Sequence, residues 1–153
     1  MRVIIRAMEV VAADGADSGA LAEIFVAARQ AAMPWLPELH DPEGIASYFA
    51  TVVADAEVLL VRDADAPVGF LALRGDMIEH LYVRPEAQRA GIGTALVAAA
   101  KARRPEGLEL WVFQRNDGAR AFYAGHGFAE VERSDGARNE EREPDMRLAW
   151  SGI

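Results

Sequence analysis

The stretch Met77–Arg104, MIEHLYVRPEAQRAGIGTALVAAAKARR, constrains this chain more than any other. It reads as a short strand over Met77–Val83, a tight loop over Arg84–Ala90 and a helix that starts near Gly91. The loop runs into Gln88-Arg89-Ala90-Gly91-Ile92-Gly93, a Q-x-x-G-x-G that opens the helix. Glycines in the first turn let the backbone approach a ligand closely. The N–H groups of that turn, Thr94 included, lack intrahelical partners and carry the positive end of the helix dipole. Such a site suits an anion, most naturally a phosphate or pyrophosphate. Local charge agrees, since residues 84–104 hold Arg84, Arg89, Lys101, Arg103 and Arg104 against Glu86 alone.

Two other phosphate loops fail against this stretch. The dinucleotide fingerprint needs a third glycine three residues after the second, where Leu96 stands. The P-loop needs Gly-Lys-Ser/Thr, but Gly93 is followed directly by Thr94.

At 153 residues the chain suits a single domain over 1–153 with a sizeable core. A formal net charge of −8 argues against a broad nucleic-acid surface, which needs an extended basic face. No apolar run approaches a membrane span, and Arg6 and Glu9 interrupt the N-terminal stretch too early for a signal peptide. With no cysteine, disulfides, thiolate metal sites and a thiol nucleophile are excluded. The three histidines, His40, His80 and His126, lack ligand spacing, so no metal is expected. A cytoplasmic protein without nucleic-acid or membrane partners is the expectation.

In chain order, Arg2–Val10 reads as a first strand. A helix capped by Asp17 or Ser18 runs to about Ala32, with Leu21, Ile24, Phe25 and Ala28 on one stripe. Met33-Pro34-Trp35-Leu36-Pro37 ends it. Asp41-Pro42 starts a second helix whose apolar face is Ile45, Tyr48, Phe49 and Val52. Glu57–Arg62, Val68–Leu73 and Met77–Val83 read as strands separated by short turns. After the helix Ile92–Arg103, Leu108–Phe113 is apolar on both faces and so expected to be central. Asn116 or Asp117 caps a short helix with Ala119, Phe122 and Tyr123, and Phe128–Arg133 and Asp145–Trp150 are final strands. The polar, charged segment Ser134–Pro144 between them reads as a mobile hairpin loop.

The order β-α-α-β-β-β-α-β-α-β-β, with Leu81-Tyr82-Val83 leading into the Gln88–Gly93 loop, resembles the GCN5-related N-acetyltransferases (GNAT). A second segment resembles the family's N-x-x-A-x-x-F-Y…G-F pattern: Asn116 to Tyr123, followed by Gly127-Phe128. The resemblance covers nearly the whole chain. It implies an α/β (α+β) single-domain fold, with a mixed, mostly antiparallel central sheet, a splayed pair of central strands and flanking helices. Acetyl-coenzyme A is the implied acyl donor.

The resemblance also assigns roles. Backbone groups of Leu81, Tyr82 and Val83 would pair with pantetheine. Gln88, Arg89, Ala90, Gly91, Ile92, Gly93 and Thr94 would hold the pyrophosphate. Asn116 matches an asparagine that contacts the cofactor, although its place as a helix cap explains it equally well. Tyr123 matches the tyrosine that protonates the departing thiolate, and a phenol with an ordinary pKa of about 10 carries the required proton at pH 7. On that reading Phe122 points inward and Tyr123 towards the cleft. Glu79 stands where several family members present a base for the amine, on one strand face with Met77 and Leu81; His80, facing the other way, is the alternative base, and His40 and Glu38 are more remote candidates. Met33–Asp41, with Trp35, Leu36 and His40, corresponds to part of the acceptor site; packing of Trp35 on the core is the competing reading.

The expected reaction is direct acetyl transfer in a ternary complex to a small-molecule or peptide primary amine, because an acyl-thiol on the chain is impossible without cysteine. A non-catalytic acyl-coenzyme A sensor and a transferase with another acyl donor are the alternatives. A homodimer through the apolar C-terminal strand and Trp150 is a family tendency. The identity of the amine is not written in the sequence.

Overall fold

The computed structural model describes residues 8–153. Its elements are β1 (Val10–Ala12), α1 (Ser18–Ala32), α2 (Pro42–Asp55), β2 (Glu57–Asp63), β3 (Ala66–Arg74), β4 (Met77–Val83), α3 (Ile92–Arg103), β5 (Leu108–Phe113), α4 (Asp117–Gly125), β6 (Ala129–Ser134) and β7 (Asp145–Trp150). The expected first strand mostly falls on residues outside the described ones. Among the described residues the strands form one sheet in the order β1-β2-β3-β4-β5-β7-β6. Every neighbouring pair is antiparallel except β4 and β5. This is the mixed, mostly antiparallel sheet expected, and no described helix is long and apolar enough to cross a membrane.

Alternation on β2 shows how the layers are built. Leu59 and Val61 join Leu71, Leu96, Val97 and Tyr123 in one core, on the α3 and α4 side. Val58 and Leu60 join Leu21, Ile24, Phe49 and Phe70 in the other, under α1 and α2. Each such Leu, Val or Phe removed from water contributes roughly 1.5–3 kcal/mol before the entropy of ordering is charged against it.

Two expectations about burial are corrected. The strands covered on both faces are β2 and β3, whereas β5 alternates. Leu108, Leu110 and Val112 are buried, but Trp111 is exposed and Glu109 pairs with Arg147 on β7. Helices cover only one face at that end of the sheet, so a central position did not require two apolar faces. Tyr48, expected on the core stripe of α2, is 47% exposed, while Phe49 and Val52 bury that helix.

Helix starts differ in their chemistry. Asp41 Oδ1 accepts the Gly44 N–H at 2.7 Å, the cap expected for α2. Asp17 occupies the N-cap position of α1 without capping it. Its carboxylate is buried, accepts from the Asp14 N–H at 2.9 Å and holds the Arg62 guanidinium through 2.8 and 3.0 Å bonds. The Arg62 bond is the main cause that holds Asp17 below its ordinary carboxylate pKa.

Candidate functional site

Strands β4 and β5 pair over only two positions, Met77 with Glu109 and Ile78 with Leu110. Beyond Ile78 the β5-facing edge of β4 has no strand partner among the described residues. Backbone polar groups as far as Val83 are therefore available on that edge. A buried backbone group needs a partner, so such an edge is suited to a ligand with amide groups of its own.

At the end of this edge the chain reaches the start of α3. Gly91 is the N-cap, at φ 83°, and no side chain caps the first turn. Among the described residues a Cβ on Gly91 would meet nothing nearer than Met8 Cε at 3.9 Å, so none of them fills the ground before these N–H groups. Glycine is needed there for the left-handed backbone. Gly93 has a different reason: a Cβ there would lie 3.1 Å from Phe122 Cζ, so this glycine lets α4 pack against α3. Arg89 precedes them, also left-handed at φ 67°. Gln88 Nε2 donates to the Val83 carbonyl at 3.4 Å, linking loop to strand. Open N–H groups at a helix start, with no acid in the first turn, fit a phosphate or pyrophosphate.

The α4 segment flanks the same gap. Asn116 Oδ1 accepts the Ala119 N–H at 3.2 Å, and its Nδ2 points to Met33 Sδ at 3.3 Å. Burial of the next pair is the opposite of that expected, with the ring of Tyr123 deeper than that of Phe122. Tyr123 is buried in the α3-side core, with Phe128 edge-on at 5.5 Å. Phe122 is half-buried and packs on Gly93 and His126. Burial first, then the neighbouring Tyr82, raises the Tyr123 phenol well above its ordinary value. It therefore keeps its proton at any physiological pH, and no side-chain hydrogen bond engages its hydroxyl among the described residues.

On the opposite face of β4 lies a cavity of about 600 Å³, lined from α1, the α1–α2 segment, α2, His80 and the β6–β7 loop. Phe25, Met33, Leu36 and Ile45 make it largely apolar; among the described residues Glu38, Glu140 and Glu141 set three carboxylates against the guanidinium of Arg29. That combination suits an aliphatic stem ending in a cation. Of the expected acceptor residues, Leu36 and His40 line it, and so does Glu38, a more remote candidate for the base. Trp35 does not: it packs edge-on to Phe113 at 6.0 Å, and the Arg115 guanidinium covers its ring at 4.1 Å.

A β-bulge decides what β4 shows to this cavity. Ala72 pairs with His80 and Leu73 with Ile78, so Glu79 is the extra residue. Ile78 therefore shares the α3-side face with Leu81, while His80 and Tyr82 turn towards α1 and α2. The single face proposed for Met77, Glu79 and Leu81 is thus broken. Glu79 does not line the cavity; it binds Arg74 Nε at 2.9 Å. His80 does line it, with Nε2 2.7 Å from Tyr48 Oη.

Sequence reasoning missed Arg29, Tyr48, Glu140 and Glu141. The two glutamates arrive on Ser134–Pro144, which is bound internally: Asn139 Nδ2 donates to the Glu143 carbonyl at 2.7 Å and to Asp145 Oδ2 at 3.1 Å. Gln114 Nε2 fixes its base by donating to the carbonyls of Ser134 and Asp145. The loop meets the rest of the cavity through Glu140 to His40 at 2.8 Å and Glu141 to Arg29 at 3.8 Å.

Comparison with known proteins agrees with this geometry. Residues 54–130 match the model of the acetyltransferase (GNAT) domain. A peptidyl-lysine N-acetyltransferase of Escherichia coli, YjaB, is 34% identical over 92 residues, which are 60% of this chain and 62% of that protein. The match thus spans less than two thirds of that relative's length. The solution structure of the apo form of YjaB superposes with a TM-score of 0.80 over 96% of this chain and 99% of that one, at 24% identity. The PaiA N-acetyltransferase of Thermoplasma acidophilum, crystallised with coenzyme A, superposes with a TM-score of 0.70 over 95% of this chain and 99% of that one, at 19% identity.

Proposed function

The chain belongs to the GNAT acetyltransferase family, and from that premise we propose that it transfers an acetyl group from acetyl-coenzyme A to a primary amine of the lysine type. One observation carries the reading: β4 leaves β5 after Ile78, so its free edge runs between an open helix start and an apolar cavity with an acidic rim. The relative YjaB is named for peptidyl-lysine, and the cavity's chemistry suits that side chain.

The donor fits the residues present. The N–H groups of Ile92, Gly93 and Thr94 at the open start of α3 would hold its pyrophosphate, and Leu81 to Val83 would bind its amide-bearing arm along the free edge. Bound there, it supplies an activated acetyl thioester. The reaction forms a bond from the acetyl carbon to the amine nitrogen and breaks the bond to sulfur. An ammonium acceptor gives up two protons, one ending on the thiolate and the other in solvent.

In this reading the chain's own groups manage those protons. Tyr123, protonated at every physiological pH, is the donor to the thiolate. Glu79 is a carboxylate on the strand that carries His80, and it takes the ammonium proton through water. Its charge reaches the cavity floor: burial first, then Glu79, raises the Tyr48 phenol. Transfer proceeds within a ternary complex, in keeping with the absence of cysteine.

The test is release of coenzyme A thiol and mass-spectrometric acetylation of an N-terminally blocked peptide with one internal lysine. Turnover that vanishes when lysine is replaced by norleucine supports the reading. Tight binding of acetyl-coenzyme A without turnover of any amine would make the chain a sensor instead.

A further inference from the structure

The cavity floor holds a pair that the reaction described above does not use. Tyr48 on α2 and His80 on β4 meet at 2.7 Å, Oη to Nε2. The two members differ in freedom. His80 is caged by aromatic rings, with Phe49 at 5.2 Å, Tyr82 at 6.0 Å and Phe25 edge-on at 6.1 Å, and its buried Nδ1 has no partner among the described residues. An imidazole so enclosed cannot turn to seek other bonds. Tyr48 is 47% exposed, lines the cavity, and makes no other side-chain hydrogen bond among the described residues.

A phenol oxygen carries one proton and two lone pairs. When Tyr48 gives its proton to Nε2 of His80, only acceptor capacity is left on the oxygen. A group so prepared receives an N–H. We propose that the Tyr48 hydroxyl, oriented by His80, accepts one N–H of the incoming amine and holds its nitrogen on the cavity floor with the lone pair free for attack. This rests on the acetyltransferase reading and deepens it. Tyr48 would touch the acceptor; His80 acts only through Tyr48 and is a positioning residue.

The surroundings keep the pair in one state. Among the described residues, Arg29 on α1, Glu38 and His40 between α1 and α2, Arg74 on β3, Glu79 and Tyr82 on β4, and Glu140 and Glu141 from the β6–β7 loop are the ionisable groups around it. Burial, followed by Arg29 and Arg74, lowers the His80 pKa to about 4, so the imidazole is neutral wherever the enzyme would work. The pair should therefore leave the shape of the pH profile unchanged and act on the affinity for the amine.

Initial rates with acetyl-coenzyme A and the internal-lysine peptide test this, comparing the parent with Tyr48→Phe, His80→Leu, His80→Gln and the double variant Tyr48→Phe/His80→Leu. Loss of one such hydrogen bond should raise the peptide KM about tenfold, with the acetyl-coenzyme A KM unchanged. His80→Leu should have the same signature, and His80→Gln, which keeps an acceptor for the phenol, should recover part of it. If His80 acts only through Tyr48, the double variant stays within about twofold of Tyr48→Phe alone. A peptide KM for Tyr48→Phe within twofold of the parent overturns the proposal, as does a double variant whose losses multiply. Tyr48 is exposed enough that its Phe variant should fold, so this arm decides even where His80→Leu does not fold. A parent that acetylates no amine overturns the acetyltransferase reading itself; an active parent with an unaffected Tyr48→Phe overturns only this assignment.

Discussion

Glu79 Oε1 lies 2.9 Å from Arg74 Nε, across the turn that joins β3 to β4. The carboxylate thus has a cationic partner, and the bulge that makes Glu79 the extra residue directs it away from the core face of Leu81. A base in this position would reach the amine through water. Glu79→Gln keeps the shape and removes the base. It should slow acetylation of the lysine peptide at neutral pH by about 10²-fold at most, with recovery at high pH where free amine is abundant. Loss that is uniform from pH 6 to 10 would mean that Glu79 only positions Arg74 or the acceptor.

The start of α3 makes a prediction that separates charge from backbone strain. Gly91 sits at φ 83°, a region that asparagine and aspartate tolerate better than other side chains. Gly91→Asn and Gly91→Asp have nearly the same shape and should cost similar stability, on the order of 1 kcal/mol. Only the aspartate sets a negative charge where the proposed site would hold pyrophosphate. Calorimetry should give Gly91→Asp at least tenfold weaker coenzyme A binding than Gly91→Asn. Equal affinities would move the phosphate site elsewhere.

Legibility of this fold followed punctuation. Asp41-Pro42, Arg74-Gly75-Asp76 and the glycines at 91 and 93 mark element ends by local sterics, and the elements between them lie within a few residues of expectation. The bulge at Glu79 had no such mark, because Glu-His-Leu-Tyr-Val alternates well enough to suggest an unbroken strand. Whether β5 needed two apolar faces depended on where helices lie, which its six residues do not encode. The cavity was least legible of all. Glu140 meets His40 across 100 residues of sequence, and in the chain it is one acid among many in a polar loop. Tyr48 belonged to an apolar stripe by spacing, and only its exposure and its bond to His80 set it apart.

His80 gives the fold a pH dependence. Burial, then Arg29 and Arg74, lowers its pKa from 6.5 to about 4, so the unfolded chain binds the extra proton in that interval. The stability held by a neutral His80 is present above pH 6.5 and is lost as the pH falls towards 4. A shift of this size amounts to about 3 kcal/mol in full, of which roughly 2 kcal/mol is gone by pH 5. Urea titrations at pH 7 and pH 5 should show that loss in the parent and much less of it in His80→Gln. Asp17, held low chiefly by Arg62, contributes in more acid solution and is common to both proteins, so it cancels. An equal loss in parent and variant would show that His80 accepts a proton without strain.

Tyr123 is the sharpest test of the chemistry, because its position allows two roles that one oxygen separates. Its ring belongs to the α3-side core with Phe128, and the packing of α4 needs that ring. Its hydroxyl makes no side-chain hydrogen bond among the described residues, so removing the oxygen leaves none of their side chains without a partner. If the oxygen had no task, phenylalanine would serve as well or better. Tyr123→Phe should therefore leave thermal stability unchanged or raised, and coenzyme A affinity near that of the parent. Turnover of the lysine peptide should fall about 10²–10⁴-fold, the usual contribution of a general acid. Because burial raises the phenol above its ordinary pKa, the parent should show no basic limb from Tyr123 below pH 10. A variant that is stabilised and turns over within twofold of the parent would make Tyr123 a packing residue, and the thiolate would then take its proton from water.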